Sequence, residues 1–407
     1  ARHGPTRCRA ASLPLSLPQS PSVSLRGCGP GGPPVASMSP ARALRVLFCG
    51  EPEFGAGFRA VRGALEAAGR LVHGGDAGEG VVGVEVARCT RGALRDWLPW
   101  ADVAVPLMAR LDAPLLRYWA RAPVEYPRAI FQFGVGLEGV DVEAATREGI
   151  WVANIPSSAM ELSPNAASCA EMAILLALAC LRRWNAMQTA IQYHKSGLPM
   201  GEALLGKRCL VIGFGSIAQE LIVRLQAFGV DVRAVRGRSW EQGDEGRLAQ
   251  RARDALESRG TGRDELLAMS READVVFLTC VQTESTRGMI NAEFLNSCKD
   301  GISIVNVARG GLLDYSAVMA GLKTGRVGAL GLDVHWSEPI DPDDEIAKHP
   351  NVILTPHVAG VTKISYDSMG SFMARQLIHL QGSGTAPSTT MNLPLGGDRS
   401  ASPLRRK

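Results

Sequence analysis

Aromatic residues make up only 5% of this 407-residue chain, and long hydrophobic runs are missing. The longest, Ala173–Leu181 with Met172 before it, is ten residues, against the ~20 that a helix needs to cross a bilayer, so no membrane span is expected. The nine cysteines (8, 28, 49, 89, 169, 180, 209, 280 and 298) form no CxxC pair and no His/Cys cluster at ligand spacing. A disulfide framework and a metal centre are therefore not expected, and the thiols read as the reduced, buried cysteines of an intracellular protein. Acidic residues are absent from the first 42 positions, which carry five arginines, and residues 398–407 hold four basic residues and one acid. Without these ends the body has 35 basic and 39 acidic residues, about −4. That sign makes a poor platform for phosphate backbones, so a nucleic-acid partner is not expected.

Hydrophobic residues at 46% and charged ones at 21% describe a globular chain with room for two domains. The Arg-, Ser- and Pro-rich stretch 1–42 is expected to be a disordered leader, either a transit peptide or translated upstream sequence. A start at Met38 and a cytoplasmic protein are the favoured expectation; a genuine transit peptide over 1–37 would direct it to a plastid or mitochondrion. The stretch after Gly382 looks similarly loose, and 391–407 is taken as a tail.

Between these ends apolar strand-like runs alternate with helical patterns, which predicts α/β architecture with parallel sheets. "ADVAVPL" (101–107) and "ADVVFLT" (273–279) echo each other. The echo suggests two Rossmann-like, doubly wound domains with a cleft between them. Residues 43–157, completed by 360–390, are assigned to a substrate domain and 158–359 to a dinucleotide-binding domain. Residues 165–197 read as a long helical stretch linking the halves, and the charged segment 239–263 as a surface insertion.

The strongest local motif lies in "CLVIGFGSIAQELIVRLQAFGVDVRAVRGRS" (209–239). A buried strand over Cys209–Ile212 runs into Gly213-Phe214-Gly215-Ser216-Ile217-Ala218, then a helix and a second strand over Val230–Val235. Gly213 permits the tight turn, Gly215 lets the backbone approach a pyrophosphate, and Ala218 allows close helix–sheet packing. The helix N-terminus supplies N–H groups and a positive dipole. An NAD site would end the second strand with a carboxylate for the ribose hydroxyls. This chain has Arg236 there, followed by Arg238 and Ser239, so NADP is expected over NAD.

Three further strand-like runs end in polar residues. "IVNVARGGLLD" (304–314) delivers Arg309, "ALGLDVHWSEP" (329–339) delivers Asp333 and Glu338, and "ILTPHVAG" (353–360) delivers His357 after a strand-ending proline. In open parallel sheets ligands bind at those carboxyl ends. Three strand ends that deliver Arg, Glu and His in sheet order point to a ligand site rather than to separate surface salt bridges or caps.

Together, NVARGG, LDVHWSEP and TPHVAG, with GFGSIA upstream, resemble the D-isomer-specific 2-hydroxyacid dehydrogenase family over residues ~44–380. "NAASCAEMAILLALACLRR" and "DVHWSEPIDPDDEI" are especially similar to its uncharacterised plant members. The resemblance implies that Arg309 binds the substrate carboxylate, that His357 is the acid/base, and that Glu338 pairs with it. It also implies that the backbone of Gly134, Val135, Gly136 and Leu137 holds the carboxylate. Asp333 would contact the nicotinamide carboxamide, with Cys280, Val281, Val307, Ala308 and Gly360 also lining the cofactor. Two departures stand out: Thr279-Cys280-Val281 replaces a frequent His-x-Pro, and Glu138 stands where Asp is common. The implied activity is NAD(P)-dependent reduction of a small 2-oxo acid to the D-2-hydroxy acid, of the glyoxylate or hydroxypyruvate type. A homodimer through the nucleotide domain is also implied. The alternatives are 3-phosphoglycerate dehydrogenase-like activity and a corepressor-like, nucleotide-sensing scaffold.

Overall fold

A computed structural model describes residues 42–51, 55–73, 82–106, 109–123, 126–156, 163–241 and 246–392. The leader up to 41 and the segment 393–407 lie outside the described residues. Two parallel sheets organise the rest. The first comprises β1 (Leu44–Glu51), β2 (Leu71–Val72), β3 (Val84–Thr90), β4 (Val103–Val105), β5 (Ala129–Phe131) and β6 (Trp151–Ala153), in the order β2-β3-β1-β4-β5-β6. The second comprises β7 (Arg208–Ile212), β8 (Asp231–Arg236), β9 (Ser258–Thr261), β10 (Val275–Leu278), β11 (Ile302–Asn306), β12 (Val327–Leu332) and β13 (Val352–Leu354), in the order β13-β12-β11-β10-β7-β8-β9. Every strand pair is parallel.

Parallel strands are covered on both faces, which requires near-continuous apolar sequence. Strands β4, β5, β10 and β11 are buried at every residue, and each sheet carries a buried apolar cluster on either side. The two echoed runs occupy equivalent places. β4 pairs with β1 in one sheet and β10 with β7 in the other, and in the second sheet that junction is where the strand order reverses.

Six helices matter for the site: α1 (Gly55–Ala67), α2 (Pro164–Leu181), α3 (Trp184–Gln192), α4 (Ser216–Leu225), α5 (Arg247–Asp254) and α6 (Lys363–Ser383). The stretch read as one helix over 165–197 breaks between α2 and α3, where Arg183 takes a left-handed conformation (φ 57°). Among the described residues α2 is the one helix long and apolar enough to cross a membrane, with 61% of that window buried inside the protein. It packs on α4, β11 and β12, as a core helix does.

The surface insertion expected over 239–263 is instead part of the sheet. It contains α5 and the edge strand β9, which pairs with β8 from Arg233↔Ser258 to Arg236↔Thr261. The chain also returns to the first sheet after β13. α6 lies on α1 so closely that a Cβ on Gly370 would come 2.7 Å from the backbone carbon of Ala60. Beyond α6, Met391 and Asn392 are docked rather than loose. Met391 N–H donates to the Val152 carbonyl (2.7 Å) and the Asn392 side chain accepts from Val152 N–H (2.7 Å).

Candidate active site

The residues singled out by sequence lie at the carboxyl ends of β7, β8, β10, β11, β12 and β13, and, for 134–137, in the loop after β5. Gly213 follows β7 with φ 111°, and a Cβ there would come 2.9 Å from the Cys280 nitrogen. Only glycine allows this turn and close approach together. Gly215 caps α4 in extended conformation with no side-chain hydrogen bond, and a Cβ on it would meet open space. The first-turn N–H groups of α4 thus face room for an anion. These features fit the pyrophosphate of a nicotinamide dinucleotide, which Gly213, Phe214, Gly215, Ser216, Ile217 and Ala218 would hold. Cys280 and the exposed Val281 follow β10, and the buried Val307 and Ala308 follow β11.

Arg236 is placed differently from the expectation of two guanidiniums facing a 2′-phosphate. It is buried (6% exposed), its Nε donates to the Arg238 carbonyl (3.1 Å) and its Nη2 to the Ser239 carbonyl. Its guanidinium lies 4.8 Å from the Trp240 ring centre and 5.9 Å from that of Phe214. The side chain therefore shapes the loop, while Arg238 and Ser239 are at the surface.

The turn after β11 is built by Asn306, a fully buried amide at the end of that strand. Its Oδ1 accepts from Ala308 N–H (3.0 Å) and its Nδ2 donates to the Arg309 carbonyl (2.8 Å). This folds Arg309 outward. Arg309 Nη1 donates to the Ala308 carbonyl (2.7 Å) and its Nε to Glu138 Oε1 of the first sheet's loop (2.8 Å).

His357 and Glu338 pair, His357 Nδ1 lying 2.7 Å from Glu338 Oε2. Glu338 Oε1 accepts the His335 N–H (3.0 Å). Burial raises the Glu338 pKa, but the hydrogen bond and charge of His357 outweigh it. The carboxyl stays below the usual carboxylate range. With Nδ1 engaged, Nε2 is the nitrogen left for chemistry.

Asp333 has no exposed surface, and its carboxylate accepts Thr355 Oγ1 (2.6 Å), Val358 N–H (2.9 Å) and Ala359 N–H (2.8 Å). Its observed contacts anchor the loop that carries His357; sequence reading placed it against the nicotinamide. Gly360 closes the same loop against α2, where a Cβ would collide with Asn165 Oδ1.

In the loop 133–139, Gly134 is left-handed (φ 150°) and its carbonyl accepts Ile155 N–H (3.0 Å), while the Val135 carbonyl accepts Asn154 Nδ2 (2.8 Å). A Cβ on Gly136 would collide with Arg309 Nη2 and Glu138 Oε2. Loop, guanidinium and carboxylate thus converge across the cleft. Sequence reasoning missed Asn306, Thr355 and the reach of Glu138. The first had a signal, a lone amide inside "IVNVA"; the other two had none.

Two doubly wound parallel sheets, a glycine-turn anion cradle and an Arg/Glu/His set at adjoining strand ends define a nucleotide-binding α/β architecture. The profile of the NAD binding domain of D-isomer specific 2-hydroxyacid dehydrogenases matches residues 174–359. Hydroxypyruvate reductase of Thermotoga maritima is 36% identical over 242 residues, covering 58% of this chain and 71% of that protein. D-3-phosphoglycerate dehydrogenase of Archaeoglobus fulgidus is 32% identical over 303 residues, 74% of this chain and 53% of that one. The chain thus spans about half the length of that relative. The solved pyruvate reductase of Chlamydomonas reinhardtii shares the fold, with TM-score 0.66 and 23% identity over 84% of this chain and 98% of its own. The chain belongs to the D-isomer specific 2-hydroxyacid dehydrogenase family.

Proposed function

We propose that this protein reduces a small 2-oxo acid, of the glyoxylate or hydroxypyruvate type, to the D-2-hydroxy acid. The observation that carries the reading is the His357–Glu338 pair at 2.7 Å, set at strand ends adjoining Arg309. A bound nicotinamide cofactor would supply the hydride. Arg309 then neutralises the substrate carboxylate and polarises the carbonyl, and the N–H groups of loop 134–137 hold the carboxylate from the opposite sheet. His357 Nε2 donates the proton that the carbonyl oxygen needs, and Glu338 stabilises the charged imidazole before donation. A nicotinamide-absorbance assay across a panel of 2-oxo acids tests this; no turnover on any of them would overturn it.

NADP is the cofactor we favour. No carboxylate ends β8, and Arg238 and Ser239 lie at the surface just beyond it, with the Arg236 charge behind them. Replacing Arg238 with Glu should lower kcat/KM for NADPH by roughly ten- to a hundred-fold while leaving NADH little changed, as loss of a charge-assisted phosphate contact requires. An unchanged NADPH/NADH ratio would count against it. A homodimer is supported by apolar exposure along one stretch of the nucleotide half: Trp184, Ile191, Tyr193, Leu198, Met200 and Leu205. Light scattering on the eluting protein should give twice the chain mass.

A further inference from the structure

Arg309 already holds a carboxylate, and that carboxylate belongs to the protein. Glu138 extends from the loop of the first sheet, crosses the cleft, and accepts Arg309 Nε at 2.8 Å. Its second oxygen and Arg309 Nη2 both crowd the Gly136 Cα, so that even a methyl group there would strike them. The guanidinium and Gly136 are the two features that the proposed function gives to the substrate carboxylate. The Arg309 bond and charge, with the His357 charge added, outweigh burial and keep Glu138 ionised below the usual carboxylate range. Its side chain is 60% exposed, so nothing in the core requires a carboxylate at this place. An aspartate, one methylene shorter, would not extend as far.

We propose that Glu138 is a resident competitor for Arg309, a specificity-determining carboxylate that the substrate's own carboxylate must displace before it can bind. The inference rests on the proposed 2-oxo acid reading of the same site. Displacement sets an affinity threshold: an acid binds only if its carboxylate and keto oxygen together outperform a tethered carboxylate. Simple monocarboxylates that lack the keto oxygen are discriminated against, because they offer Arg309 no more than Glu138 does. The ionised side chain also closes the cleft in the empty enzyme, giving Arg309 a partner when no substrate is there.

The test is the Glu138→Gln variant, which keeps the shape and removes the charge. Oxamate, a non-reacting 2-oxo acid analogue, is titrated calorimetrically into wild type and variant with NADPH or NADH present. The variant should bind oxamate roughly 1.5- to five-fold more tightly, the range that an exposed ion pair spans. In turnover, KM for glyoxylate should fall by a similar factor while kcat moves less. Unchanged or weaker oxamate binding with an unchanged melting temperature would overturn the proposal, since Glu138 would then only hold Arg309 in place. If wild type turns over no 2-oxo acid, the proposed function fails, yet the oxamate titration still reads the competition. Binding of oxamate by neither protein overturns both.

Discussion

His357 has φ 55°, a backbone conformation that residues other than glycine adopt sparingly, asparagine being among the more tolerant. The Asp333 carboxylate holds it there through the N–H groups of the next two residues. His357→Asn should therefore fold normally and bind cofactor, while kcat falls by roughly 10²–10⁴, the usual worth of a general acid. Cofactor titration beside steady-state kinetics checks both halves of that statement. Arg309→Ala should raise KM as well as lower kcat, because it removes a charge that the substrate needs on binding and on reaction. The side chains proposed for catalysis were legible in the sequence because each follows an apolar run and stands beside a proline or glycines. The hydrogen bonds that aim them were not. Thr355 is an ordinary residue until the fold brings β12 beside β13 and its hydroxyl to Asp333.

Strands β7, β10, β11 and β12 announce themselves as apolar runs, and the glycine turn after β7 identifies its partner helix. β9 does not. Its sequence is Ser-Arg-Gly-Thr, an edge strand with one buried position, and α5 before it buries only Ala249 and Ala252. Pairing with β8 supplies what their composition lacks, which is why 239–263 read as an insertion. The segment after α6 was equally silent, being short and polar. Yet Asn392, buried to 8% exposure, accepts from Val152 N–H and donates to the Ile150 carbonyl (3.0 Å) and Thr146 Oγ1 (2.8 Å). Asn392→Ala removes the partner of the buried Val152 N–H and Ile150 carbonyl and should cost about 1–3 kcal/mol. That lowers the melting temperature by several degrees, with no change in cofactor affinity, as thermal denaturation and cofactor titration would show.

The carboxylates that join separate parts of the molecule share one electrostatic sign. Asp274 is raised by burial but lowered further by the Arg208 N–H and the Lys299 ammonium, which tie β7 and the approach to β11 to the start of β10. Glu338 and Glu138 are likewise depressed. A group whose pKa is lowered by folding contributes stability that is fully present above its unfolded value and is lost as pH falls through the folded one. The protein should therefore lose stability on acidification below the ordinary carboxylate range. Asp274→Asn should flatten that dependence, which denaturant melts across an acidic pH series would reveal; an unchanged slope would show that the effect lies elsewhere.

The return of the chain to the first sheet has a consequence for synthesis. Strands β7 to β13 are contiguous from 208 to 354, so the nucleotide half has all its strands once β13 has left the ribosome. The first sheet emerges earlier but waits. The helix that covers α1 begins about 210 residues after β6, and Asn392 of the segment that completes the edge at β6 is made 240 residues after Val152. During that interval the Leu44, Phe48, Phe58 and Phe131 cluster lacks Phe372, Met373 and Leu377, which close it in the finished protein. Chains ending at residue 360 and released from the ribosome should therefore carry a protease-resistant second sheet beside a protease-sensitive first one, and the period of exposed apolar surface during synthesis is when a chaperone would find a binding site.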